Sequence, residues 1–197
     1  MPNKAENVTA AKPKVAGAIF AAKKGTEIPK DAKTKLPDGF KSMGYISKDG
    51  VKNSNSPANT DIEEWGGAVV LSTMTGRPDT FAFKLLETLN EDVLKQIYGE
   101  NNVNVSEIDG AITVEVGADE LEEAVWVIEM ILRGNRLKRI VIPSGKLTNL
   151  GDIVYNTADA AGYDVTITCY PDEKGKSHYE YITKGEQKSN EEAVVDG

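Results

Sequence analysis

The chain has one cysteine, Cys169, and one histidine, His178, in 197 residues. A single thiol forms no internal disulfide, and the two side chains together are too few for a structural zinc site. Nucleophilic catalysis of the Ser-His-Asp or Cys-His kind would have to pass through His178, which lies between Ser177 and Tyr179 in a strand-like run. A solvated strand histidine is the expectation there. Cys169 alternates with Val165 and Ile167 and reads as a small core residue. Glycine-rich phosphate loops are missing, since neither G-x-G-x-x-G nor G-x-x-x-x-G-K-[ST] occurs. No stretch approaches the ~18 consecutive apolar residues of a membrane span. The opening MPNKAENVTAAKPK has no apolar centre of the kind a secretory signal carries, so folding in a cytoplasm is expected.

Positive charge is also scarce. Lys and Arg number 23 against 31 Asp and Glu, a net charge of -8, which argues against a broad basic surface for nucleic acid. The acid pairs Glu63-Glu64, Asp119-Glu120 and Glu122-Glu123 do not converge, because adjacent strand residues face opposite sides; they read as solvated turns. The run SKDGVKNSNS is rich in Asp and Asn but lacks the alternating ligands and final Glu of a calcium loop. Aromatic residues are only 7% of the chain, so Trp65 and Trp126 are expected to be core or interface anchors rather than a sugar-stacking platform. No catalytic, metal or cofactor site is expected.

What is present suits one globular domain. With 40% hydrophobic and 27% charged residues, the chain can bury a sizeable core between about residues 14 and 184. Residues 1–13 are polar and unpatterned, an expected mobile arm, and 185–197 read as a flexible tail. Between these, apolar residues mostly alternate. Val15, Gly17 and Ile19 mark a first strand, and Tyr45 with Ile46 a second. A polar stretch from about Ser47 to Asp61 follows, through Lys48, Asp49, Gly50, Val51, Lys52, Asn53, Ser54, Asn55, Ser56, Pro57 and Asn59, and reads as a long coil without an apolar face. Connections of this length inside a compact β protein are functional or disordered.

The chain then re-enters at Trp65-Gly66-Gly67, with a bulge expected at the glycines and a buried strand over Val69 to Leu71. Gly76 to Pro78 reads as a turn pairing that strand with the next, which carries Phe81, Phe83 and Leu85 on one face. LNEDVLKQIYG predicts a short helix: Asn90 caps it, Gly99 ends it, and Val93, Leu94, Ile97 and Tyr98 form its stripe, with Leu89 stapled onto Leu94. AVWVIEMILRG is apolar on both faces, so Trp126, Ile128 and Met130 are expected to serve a core or a neighbouring subunit. YDVTITCYP and SHYEYIT read as a closing hairpin. The sum is a predominantly β protein of the α+β class, an antiparallel sandwich or barrel flanked by one short α-helix.

Taken in order, KVAGAIFAAKKGTEIPKDA, FKSMGYISKDGVKNSNSP, EEWGGAVVLSTMT, DTFAFKLLETLNEDVLKQIYG and GYDVTITCYPDEKG resemble the major tail proteins of phages with long, non-contractile tails that infect Gram-positive bacteria. The resemblance spans about Lys14 to Lys184. It implies a structural, non-enzymatic virion protein, made in the host cytoplasm, whose copies close into hexameric rings stacked as a tail tube. It implies as partners the tape-measure protein, the tail terminator and the distal tail or initiator proteins, with phage DNA passing through the lumen without specific binding and with no membrane involved. The stretch from Ser47 to Asp61 and the two termini match the inter-ring contacts of such proteins, with Trp65 as the anchor where the stretch rejoins the sandwich.

On this reading, six copies would carry six times the charge of -8, and acid facing a lumen would repel DNA phosphates. Deleting Asn53 to Asn59 is expected to leave a folded monomer that does not polymerise. An inner-tube protein of a contractile tail or secretion device is the alternative within the same class. A monomeric carbohydrate-binding module using Trp65 or the Tyr170, Tyr179 and Tyr181 group is the alternative outside it.

Overall fold

In a computed structural model that describes residues 3–14 and 18–184, the chain forms thirteen strands and one α-helix. In order these are β1 (Lys12–Pro13), β2 (Ile19–Lys23), β3 (Lys41–Ser42), β4 (Lys52–Asn55), β5 (Ala58–Glu63), β6 (Val69–Gly76), β7 (Asp79–Leu85), α1 (Glu91–Tyr98), β8 (Val103–Val105), β9 (Ile112–Val114), β10 (Ala124–Leu132), β11 (Arg136–Leu150), β12 (Tyr163–Cys169) and β13 (Tyr179–Thr183). Nine strands make one antiparallel sheet, with main path β3-β2-β10-β11-β12-β7-β4, β1 beside β10 and β13 beside β11. β3 and β4 are left as edges, so the predominantly β, α+β class holds but the sheet is open rather than a closed barrel. β5–β6 and β8–β9 are separate two-stranded ribbons.

The sheet curls around its core. Phe83 on β7 and Trp126 on β10 are three ladder steps apart, roughly 14 Å if the sheet were flat. Their ring centroids are 6.2 Å apart, so the sheet bends until these side chains meet. Phe81, Phe83, Val165, Ile167, Ile128 and Ile142 belong to the same buried cluster, and α1 closes it with Val93, Leu94 and Ile97. The helix begins as its sequence dictates: the Asn90 side chain accepts from the backbone N–H of Asp92 at 3.0 Å. Leu89, expected as a staple, points into solvent instead.

β10 is covered on both faces, as its double apolar pattern requires. Ala124, Trp126 and Ile128 enter the main cluster, while Val125 and Val127 are buried on the opposite face with Ala22, Ala32 and Val141, beneath the connection from β2 to β3. That second face also holds Glu129, which accepts from Arg139 Nε at 2.8 Å. Arg139 donates onward to the carbonyls of Asp31 (2.6 Å) and Thr34 (2.7 Å), and so ties the connection down. Trp126 and Ile128 are each 1% exposed, which makes them core residues of the isolated chain and withdraws them from any subunit interface. Met130 is half-buried and pairs with Pro13, so its edge is occupied by the chain's own N-terminal segment.

That segment, read from sequence as a mobile arm over 1–13, places Lys12 and Pro13 on β10 in line with β2. Arg133 holds it further along, through Nη1 to the Ala5 carbonyl at 2.9 Å and through its backbone N–H to Thr9 Oγ1 at 2.7 Å. The tail expected over 185–197 lies outside the described residues.

Two expected hairpins are not formed. β12 and β13 do not pair with each other; both lie along β11, β12 against Gly145 to Leu150 and β13 against Leu137 to Val141. They are two halves of one line, interrupted by the excursion from Pro171 to His178. β6 and β7 do not pair either, and the reason lies in the prolines described next.

Candidate assembly surface

β4 and β7 pair within the main sheet, with Lys52 opposite Ala82 and Asn55 opposite Asp79. β5 and β6 continue the same register outward, with Ala58 opposite Gly76. The four strands are therefore one long hairpin, broken in the middle. The break falls at Pro57 on one side and Pro78 on the other, neither of which has an N–H to donate, so the ladder stops there and resumes beyond. Gly76 to Pro78 is thus a stretch of through-going strand, not a turn.

The polar stretch read as coil from Ser47 to Asp61 has to be corrected accordingly. Ser47 to Val51 form a turn anchored by the Ser47 N–H on the Lys84 carbonyl at 2.9 Å and by Ser47 Oγ on Asp49 Oδ2 at 3.0 Å, with Lys48 and Gly50 inside it. Lys52, Asn53, Ser54 and Asn55 form an edge strand of the main sheet. Only Ser56 onward leaves the body, and Asn59 and Asp61 stand on the outer ribbon. The composition misled because Asn and Ser are ordinary coil formers, yet a register imposed by β7 overrides local preference. Deleting Asn53 to Asn59 would remove three of the four residues of β4, so that deletion does not isolate the protruding part.

The outer ribbon is exposed from Ala58 to Thr75, and only Gly76 at its root is partly covered. Its turn is at Glu64 to Ala68, where Gly67 takes a φ of +86° that favours glycine. Trp65 sits at this tip, 104% exposed, and anchors nothing in the isolated chain. Val69, Val70 and Leu71, expected to be buried, are each more than half exposed, as are Ile62 and Met74. Ile62 lies opposite Leu71 with Thr60 and Thr73 on the same face, while Met74 lies opposite Asn59 on the other. Sequence alone placed Val69 to Leu71 in the core because a continuous apolar β-run looks like a buried strand. The signal that separates the cases is Pro57 with Pro78, which together cut the run from the sheet.

A two-stranded ribbon is marginal by itself in water. This one has free edges with no Lys, Arg or Pro to deter pairing, and it holds a cluster of apolar side chains in solvent. Such a surface is a candidate for contact with another chain.

At the ribbon's root lies a polar cluster that sequence reasoning overlooked. Asp79, 2% exposed, receives Asn53 Nδ2 at 2.8 Å, Ser177 Oγ at 2.6 Å and His178 Nδ1 at 2.5 Å. Burial alone would raise its pKa, but the bonds from Ser177, His178, Asn53 and Asn55 outweigh it and hold the carboxyl below its ordinary value. His178 is therefore half-buried, edge-on to Phe81 at 5.3 Å, and not a solvated strand residue. Cys169 is buried as expected, and burial with the Asp79 charge pushes its thiol up to about 12. The thiol is inert at neutral pH. Of the acid pairs, Glu120 engages Lys146 and Glu123 engages Lys24, so these are ion-paired rather than merely solvated.

A mostly β chain that extends an unprotected apolar ribbon from a curled sheet has the make-up of a structural building block. The family model for phage tail tube proteins matches residues 1–193, and the chain belongs to that family. It is accordingly a structural component of the phage tail. A search of curated proteins found no match.

Proposed function

We propose that this chain self-assembles into hexameric rings that stack into the tube of a long, non-contractile phage tail, through which the genome leaves. Within that tube the ribbon of β5 and β6 carries the contact to the next subunit. The supporting observation is the exposed apolar set Ile62, Trp65, Val69, Val70, Leu71 and Met74 on a ribbon with two free edges. The net charge of -8 suits a conduit, because acid repels phosphate and lets DNA slide. Tape-measure, terminator and initiator proteins are the expected partners inside and at the ends. Imaging of concentrated protein by negative stain tests the proposal. Wild type is expected to form rings or tubes, and a variant with Pro57 to Pro78 replaced by a short glycine-containing turn is expected to stay folded and monomeric. Tubes from the ribbonless variant would refute the ribbon's role.

A further inference from the structure

The root of the ribbon forms a cleft of about 550 Å³, lined among others by Asn53, Asn55, Arg77, Lys176 and His178. None of its lining residues is acidic, and the carboxylate beneath it, Asp79, is engaged by three donors. Arg77 Nε donates to Asn55 Oδ1, but neither Arg77 nor Lys176 has an ion-pair partner among the described residues. The ribbon is the converse. Between Ala58 and Gly76 it carries Asp61, Glu63 and Glu64 and no basic residue, and none of the three is ion-paired. Some acids elsewhere on the surface are matched, Glu100 by Lys23, Asp164 by Lys84 and Glu180 by Lys138, while others such as Glu107 and Asp159 have no ion-pair partner among the described residues. Unmatched charge of opposite sign is thus found at the two ends of one ribbon.

We propose that the cleft receives the tip of the ribbon from a second copy of this chain, Trp65 entering it and Glu63 and Glu64 meeting Arg77 and Lys176. The proposal rests on the assembly role given above and names the receiving surface. A strand of six residues at ~3.3 Å each sets the tip about 20 Å from its own root, so a tip reaches only the cleft of another copy. The volume accommodates an indole with its flanking carboxylates. Donor and acceptor are different patches of the same chain, so the contact is heterologous and propagates from subunit to subunit, closing as a ring or continuing as a filament.

Charge reversal tests the docking. All four charged side chains are exposed, so the variants keep the fold. Glu63→Lys with Glu64→Lys makes a basic tip, and Arg77→Glu with Lys176→Glu makes an acidic cleft. Each variant alone is expected to lose assembly by about tenfold or more in sedimentation, because like charges meet at every contact. An equimolar mixture is expected to recover it, since each tip then finds a cleft of opposite sign. In a Cys169→Ala background, Trp65→Cys combined with Lys176→Cys is expected to give a ladder of covalent oligomers on oxidation, and either substitution alone no more than dimers. Normal assembly of the acidic-cleft variant, or no recovery in the mixture, overturns the proposal. If that occurs while the ribbonless variant still fails to assemble, the ribbon's role stands and only this receiving surface falls.

Discussion

Nδ1 of His178 lies 2.5 Å from Oδ2 of Asp79, which joins the residue leading into β13 to the first residue of β7. Asn53 of β4 meets the other oxygen of the same carboxylate. Three segments distant in sequence therefore converge on one buried acid at the point where the ribbon leaves the sheet. The ribbon's root is fixed by this cluster, whereas its outer half has no contact of comparable kind.

Replacing Asp79 with alanine strands three donors around a buried position, at a cost of about 1–3 kcal/mol. The effect is pH-dependent. Folding lowers the Asp79 pKa, so its contribution is complete above the unfolded carboxyl value of about 3.9 and is lost as pH falls through the lower folded value. Urea midpoints of wild type and Asp79→Asn should differ clearly at pH 7, and the gap should narrow progressively as the pH falls below about 3.9. A constant gap between the two would rule out this carboxylate as the titrating group.

The pair Glu129 and Arg139 is the other buried polar anchor. Arg139→Met leaves Glu129 as an acid on a covered face, with only Lys14 Nζ at 3.2 Å to answer it, and releases the carbonyls of Asp31 and Thr34. A loss of about 3–5 kcal/mol is expected, against a much smaller loss for the double change Glu129→Leu with Arg139→Met, which removes both charges. Denaturant unfolding of the three variants gives the comparison. Equal losses in the single and double variants would show that the packing of Arg139, not its charge, matters.

Much of this fold was legible in the sequence, and the failures share a cause. The helix was readable because cap, stripe and terminating glycine are local, and Asn90, Val93, Leu94, Ile97 and Gly99 took the expected places. The double-faced burial of β10 followed from its composition. Strand partners were not readable, because pairing is a long-range choice: β12 and β13 each chose β11 over each other, and β6 chose β5. Exposure failed for the same reason. Val69 to Leu71 carry a core-like pattern and stand in solvent, since β6 pairs with β5 in a ribbon outside the main sheet. Glu129 was passed over inside an apolar run, although a lone acid there calls for a base, and Arg139 was available on the next strand.

Gly145 marks where β11 changes company, pairing with Ala124 on one side and Cys169 on the other. Its carbonyl also accepts from Trp126 Nε1 at 3.1 Å. A Cβ there would come within 2.8 Å of both Ile167 Cγ2 and Trp126 Cδ1, two side chains packed in the core. Gly145→Ala is therefore expected to cost about 1–3 kcal/mol through overpacking, and more if the indole bond breaks. Tryptophan fluorescence reports on this directly, because Trp65 is in water and Trp126 is buried, so a red shift of the buried component would mark the displaced ring. An unshifted spectrum with unchanged stability would mean that the sheet relaxes at this bend.

The sharpest separation between folding and function is expected on the ribbon. Ile62 and Leu71 face each other across β5 and β6 with about half of each side chain in solvent and no main-core contact behind them. Changing both to serine removes little buried area in the isolated chain, so the urea midpoint should stay within about 0.5 kcal/mol of wild type. Phe83→Ala, inside the core on the next strand of the same hairpin, should cost about 3–5 kcal/mol. Assembly should rank the other way: light scattering at high protein concentration is expected to fall for the stable serine variant, whose ribbon no longer offers apolar area to a neighbour. If the serine variant instead loses stability as a monomer, the ribbon packs on its own body in solution, and its extended form depends on the neighbouring subunit.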